Sequence, residues 1–237
     1  LMKRGTHTFI LAAMAAILLI SPLAISQTST EVVLVEGVDD YEGTRDTSIY
    51  SENQNSNGGG QHIFSGITAQ GAERRALIAF DLSAIPAGSQ ITAVELQLKV
   101  SRTRGNAVIS SALHRLTADW GEGEADAGAN EGRGAISANG DATWRENFKG
   151  ESSWDNPGGD FVASASATAD AGALNTETIF ESTDALVSDV QSWVNNPDNN
   201  FGWIIISDGT AKRFYSSENG NPDNRPALRI NYTTAGE

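Results

Sequence analysis

The segment ITAVELQLKV, residues 91 to 100, alternates apolar and polar side chains: Val94, Leu96, Leu98 and Val100 share one face, Glu95, Gln97 and Lys99 the other. A period of two marks a half-buried strand, and the chain must supply a second apolar surface to cover that face. RALIAF (75–80) is apolar on both faces and GWIIIS (202–207) nearly so, which predicts central strands covered from two sides. PALRINY (226–232) alternates again, with Leu228, Ile230 and Tyr232 inward. Shorter strand candidates lie at 31–36, 61–66, 106–116 and 177–181, and Asn57-Gly58, Asn139-Gly140 and Asn219-Gly220 mark turns.

One segment departs from this pattern. STDALVSDVQSWVNNP (182–197) places Leu186, Val187, Val190, Trp193 and Val194 on one helical stripe, with Ser182 or Thr183 as cap and Asn195-Asn196-Pro197 as stop. Many strands, one short helix at about 183–195 and no regular alternation of the two predict an all-β antiparallel sandwich. Residues 120–175 lack periodicity and are rich in glycine, alanine and acidic residues. An excursion of that length is functional or disordered, and its tryptophans argue for order.

At the start of the chain, Met2, Lys3 and Arg4 precede an apolar run from Phe9 to Ile20 and a small-residue stretch ending at Ser26. The run is too short to span a bilayer and has the form of a secretory signal peptide over residues 1–26, leaving one domain at 27–237 and an extracellular location. The whole chain carries a formal charge of −14, and loss of Lys3 and Arg4 makes it two units more negative. So acidic a chain argues against nucleic acid as a partner. Cysteine is absent, so no disulfide staples the fold.

AERRALIAFDLSAIPAGSQITAVELQLKV (72–100) resembles the core signature of the DNRLRE domain, a secreted module similar to carbohydrate-binding module family 96 and to disaggregatase-related domains. LHRLTADWGEGEA (113–125), the Trp144 and SSWDNPGGDF blocks, DVQSWVNNPDNNFGWIIIS (189–207) and RPALRINY (225–232) follow in the family's order. The resemblance spans residues 31–233 and implies a jelly-roll-like sandwich and, for some members, polysaccharide binding.

Catalytic signatures are missing. His62 and His114 are the histidines beyond the signal segment, and neither a G-x-S-x-G elbow nor an H-E-x-x-H pair occurs. With thirty acidic residues, paired carboxylates in the sequence carry no information about glycosidase chemistry. No catalytic role is assigned, and the expected activity is binding.

For metals, Glu122, Glu124 and Asp126 alternate as in a calcium loop, but Gly128 falls one place late and Arg133 stands where an EF-hand needs glutamate. An irregular structural calcium site using those three and Asp160 stays open beside a solvated acidic loop. Trp193 and Trp203 are expected in the core. Trp120, Trp144 and Trp154 either pin the excursion onto the sandwich, the preferred reading, or offer a sugar platform through Trp144 and Trp154 with Asp155 and Asn156 beside them. Arg213, Phe214 and Tyr215 are a second carbohydrate-binding candidate. The expectation is a secreted monomer that binds a neutral or weakly charged polysaccharide or cell-surface glycan. An adhesive matrix protein is the alternative, and a hydrolase or lyase the third choice. An alginate-like anionic chain would need a basic groove, which the net charge disfavours.

Overall fold

The computed structural model describes residues 27–235, so the signal-peptide segment lies outside the described residues. The strands are β1 (Gln27–Leu34), β2 (Thr44–Tyr50), β3 (Asn55–Ser56), β4 (His62–Ile67), β5 (Glu73–Phe80), β6 (Gln90–Arg102), β7 (Ile109–Arg115), β8 (Ala135–Ile136), β9 (Ala167–Ala171), β10 (Glu177–Phe180), β11 (Trp203–Ser207), β12 (Lys212–Tyr215) and β13 (Ala227–Ala235), with helix α1 (Asp184–Asn195) between β10 and β11. The fold is an all-β antiparallel sandwich made by one curled eleven-stranded sheet, with β3 and β8 paired in a separate two-stranded ribbon.

Hydrogen-bonded neighbours run β1-β13-β6-β12-β4-β5-β11-β7-β9, with β10 on the other side of β6 and β2 on the other side of β5. Both β13 and β12 bond to β6, the first along its N-terminal two thirds and the second at its end. The register of β12 on β6 shifts between Arg213 and Phe214, and such a bulge bends and twists its strand. Through β12 and β4 the sheet passes from a layer built on β6 to one built on β5, and the layers close over a shared core. Val94, Leu96, Leu98 and Val100 meet Ala76, Ile78, Phe80, Trp203 and Ile205 there, as the alternation of β6 requires.

Helix α1 is capped by Thr183, whose Oγ1 accepts from Leu186 N at 3.0 Å, and it buries Leu186, Val190 and Trp193. The indole rings of Trp193 and Trp203 pack edge to face with centroids 4.6 Å apart. Trp203 Nε1 donates to buried Asp189 at 3.0 Å, so both predicted core tryptophans are core.

The excursion is shorter than expected, because β9 within it pairs with β7 at the edge of the sandwich. What remains, up to Ser166, is mostly irregular and lies on the far face of the β5 layer. Leu77, Ala79, Ile49, Leu116 and Ile204 point outward from that layer and are covered by Trp120, Ala142 and Trp154, forming a second core. This is why β5 and β11 read as apolar on both faces.

Candidate functional site

Trp120 and Trp154 are packing residues. They are 0% and 4% exposed, and their indole nitrogens donate to Phe201 O and Thr143 O, each at 2.9 Å. A ring closed on both faces cannot stack on a sugar, so the candidate platform loses Trp154. Trp144 is half-buried beneath the guanidinium of Arg75, 4.7 Å from its ring centroid, and Arg75 also donates to Gly158 O at 2.8 Å. Gly158, at φ +97°, has no room for a side chain, since a Cβ would fall 2.7 Å from Arg75 Nη1 and 2.9 Å from the Trp144 ring. Asp155 and Asn156 are exposed, but their backbone N–H groups donate to the Asp160 carboxylate at 2.7 and 2.9 Å, and Asn156 Nδ2 adds a third bond at 3.1 Å. Asp160 thus holds its own turn.

The four candidate calcium ligands are not gathered. Asp126 accepts from Gly128 N at 2.7 Å in an exposed turn, Glu124 is exposed, and Asp160 is engaged as above. Among the described residues no three acidic or histidine side chains converge as a ready cage. Glu122 turns inward instead, where its Oε1 accepts from Asp46 N at 2.7 Å. Burial, reinforced by the charges of Glu218 and Glu36, pushes the Glu122 carboxyl up to about 8, against the opposing Asp46 N–H bond and Arg45. Burial and then the Glu218 charge hold the fully buried Asp46 well above the carboxylate range.

The third candidate set splits by strand geometry. In β12, paired to β4 with Arg213 opposite Phe64 and Tyr215 opposite His62, these four side chains share one face. Phe214 points the other way and is fully buried in the main core, so it leaves the candidate site. Consecutive strand residues cannot share a face, and the triplet Arg213-Phe214-Tyr215 was therefore never one surface.

The face bearing Arg213 is part of a groove that sequence reasoning missed. A cavity of about 380 Å³ is lined by Phe64, Arg74, Arg102, Arg104 and Arg213, with Thr68, Thr103, Gly132 and Ala211 between them. A second, of about 320 Å³, shares Phe64, Arg102, Gly132 and Arg213 and adds Glu131 and Arg133. Five arginines from β5, β6, the loops after β6 and before β8, and β12 therefore meet at one place. Arg74 is neutralised, since it is 4% exposed and forks onto the Glu52 carboxylate while donating to Gly132 O. Among the described residues the other four form no ion pair. Arg213 is half-buried and oriented by Ser101, whose Oγ accepts from its Nε at 2.9 Å; burial lowers its pKa from the ordinary arginine value.

Beside the arginines, Glu131 is 4% exposed and accepts from Asn57 Nδ2 at 3.2 Å, while its Oε2 lies 2.9 Å from His62 Nδ1. The His62 and Tyr215 rings pack at 5.4 Å between centroids. His114 lies apart on β7, its Nδ1 3.0 Å from Val162 O and its ring against Phe161. The arginine groove and the Trp144 loop are separate places, because Arg74 and Arg75, consecutive on β5, serve one each. No signal in the sequence unites arginines so far apart; only the sheet register does, for instance by setting Arg213 opposite Arg102.

No family model matches the chain, and no curated protein matches it.

Proposed function

We propose that this chain is an exported, non-catalytic recognition module that binds, as a monomer, an acidic polysaccharide bearing carboxylate or sulfate groups. The observation that carries the proposal is the groove: four guanidinium groups that form no ion pair among the described residues line it, with Glu131 the one carboxylate in the lining, on a chain whose formal charge is −14. Clustered like charges repel one another, and guanidinium forks match carboxylate and sulfate oxygens in geometry. Phe64, 8% exposed, contributes only an apolar edge to the lining, and the anionic groups of the chain would face Arg102, Arg133 and Arg213. Membership of the DNRLRE group, proposed from the residue blocks of 72–232, supports the polysaccharide class. The preference for a neutral glycan rested on net charge and gives way to the local charge of the groove.

Titration calorimetry with polygalacturonate, a sulfated polysaccharide and a neutral glucan tests this. Saturable binding of an acidic chain is expected, with Kd raised roughly 10- to 100-fold in Arg102→Gln/Arg213→Gln, the loss of two solvent-screened ionic contacts of about 1 kcal/mol each, and an unchanged melting temperature. Equal affinity for the neutral glucan, or full affinity in the double variant, rejects the proposal. Weak, equal retention of all three polymers would favour the adhesive role. One observation favours catalysis: the His62–Glu131 pair lies beside Tyr215 on the face that carries Arg213. An ultraviolet-absorbing unsaturated uronate, formed on incubation with polygalacturonate and abolished in His62→Ala, would establish a lyase instead.

A further inference from the structure

At one end of the sandwich three carboxyl groups from three segments, none of them part of the groove, are linked by hydrogen bonds through the backbone of Asp46 and through Ser217. Asp46 on β2 is fully buried, and its Oδ2 accepts from Ser217 N at 2.8 Å. Its Oδ1 is also buried, and no donor among the described residues bonds to it. Ser217 Oγ donates to Glu218 Oε1 at 2.8 Å, while Glu218 Oε2 is another buried oxygen without a donor. Glu122 arrives from a third segment, the loop after β7, through the bond from Asp46 N to its Oε1.

Three features make this cluster more than an acidic surface. Two buried oxygens without donors are costly in a folded chain, where such atoms are ordinarily satisfied. No cation compensates them: among the described residues none of Asp46, Glu122 and Glu218 forms an ion pair. Arg45, adjacent to Asp46, acts on Glu122 through its charge alone, since its guanidinium donates to Trp120 O and pairs with Asp119. The further acid facing the cluster, Glu36, accepts from Gly43 N and Thr44 N through one oxygen. The loop that delivers Glu122 is also fixed. Gly58 and Gly59 lie so close to it that a Cβ at Gly58 would fall 2.1 Å from Glu122 O and one at Gly59 2.8 Å from Glu124 O.

We propose that Asp46 and Glu218, joined by Glu122, bind one hard divalent cation of the calcium type, which ties β2 to the loop after β7 and the loop between β12 and β13. Such an ion takes oxygen ligands only, about six to eight of them, so carbonyl oxygens and water would complete its shell. The three side chains are not gathered among the described residues, so ligation requires half-buried Glu122, whose Oε1 accepts from Asp46 N, to turn its second oxygen toward the pair. The site does not depend on the glycan proposal.

The test is thermal melting of the chelator-treated, dialysed chain, titrated with calcium and with magnesium, alongside tryptophan-sensitised terbium emission. The expected result is one saturable site and a Tm rise of about 5–10 °C at a calcium concentration 100-fold above Kd. Asp46→Asn and Glu218→Gln are near-isosteric and remove a buried charge, so in chelator they should melt at or above the wild type, yet lose the calcium response. Glu124→Gln/Asp126→Asn should keep it. No response of the wild type to calcium, magnesium or terbium overturns the proposal and leaves the cluster held by protons. A response that survives in Asp46→Asn/Glu218→Gln overturns it by placing the ion elsewhere.

Discussion

Replacing Trp154 by alanine separates packing from recognition in the excursion. The side chain is 4% exposed, lies in the second core and donates to the backbone carbonyl of Thr143. Truncating a buried tryptophan costs about 3–5 kcal/mol, and leaving a buried carbonyl without its donor adds about 1 kcal/mol or more. For a domain of this length each kcal/mol lowers Tm by about 2–4 °C, so a drop of roughly 8–24 °C is expected. Trp144→Ala is the internal comparison: its ring is half-buried and loses mainly the Arg75 contact, so a cost of about 1–2 kcal/mol is expected. Urea unfolding at 25 °C, with the slope checked for constancy, measures both. A Trp154→Ala protein within about 1 kcal/mol of wild type, but with lost affinity for an acidic polysaccharide, would refute the second-core argument and return Trp154 to the ligand.

The remaining expectations concern charges. Lys212 is 1% exposed, and its ammonium donates to Thr103 Oγ1, Ala107 O and Gly172 O, fastening the loop that carries Arg104. Lys212→Met should cost about 2–4 kcal/mol in urea unfolding by leaving buried acceptors without a donor, and calorimetry should show weakened polyanion binding; unchanged stability contradicts this. For the chelated protein, Glu122 is raised to about 8 and Asp46 and Glu218 also upward, so the folded state binds protons that the unfolded state releases. Their stabilising contribution is complete below the ordinary carboxylate range and lost as pH rises through about 8, so Tm in chelator should fall between about pH 5 and pH 8.5; a rise contradicts it. Affinity for an acidic polysaccharide should increase as salt is raised from about 10 mM to about 100 mM, where the Debye length shrinks to about 10 Å, and then decline. A fall over the whole range would show that the acidic body exerts no repulsion.

The legible parts of the fold were those with an uninterrupted apolar period. β6 announced its inner face through Val94 to Val100, and α1 its stripe through Leu186, Val190 and Trp193. Strand β2 escaped notice because Asp46 and Ser48 occupy the face that an apolar period would have marked, and hydrogen bonds from Ser217 N and Phe64 N hold them. β9 was hidden inside the excursion by its composition, ATADA, which lacks a large apolar residue. The site was half legible. Arg213 and Tyr215 were singled out on a strand, but grouping Phe214 with them ignored the two-residue period applied to β6 itself. Glu122 was named as a metal ligand in company with its sequence neighbours, whereas the chain pairs it with Asp46 and sets Glu218 beside them, partners that are distant in sequence.

Net charge is a coarse guide for a related reason. It is a sum over the surface, whereas a ligand at hydrogen-bond distance meets the few groups within a Debye length. The fold sorts those groups: hydrogen bonds link Asp46 to Glu122 and, through Ser217, to Glu218, while five arginines, one of them paired with Glu52, line the groove at β12. The strand responsible for the groove is β12, which must bond to β6 and to β4 to carry the sheet from one layer to the other. That bridging position sets Arg213 opposite Arg102 on one strand and Phe64 on the other, so the closure of the sandwich and the assembly of the basic groove are the same structural event.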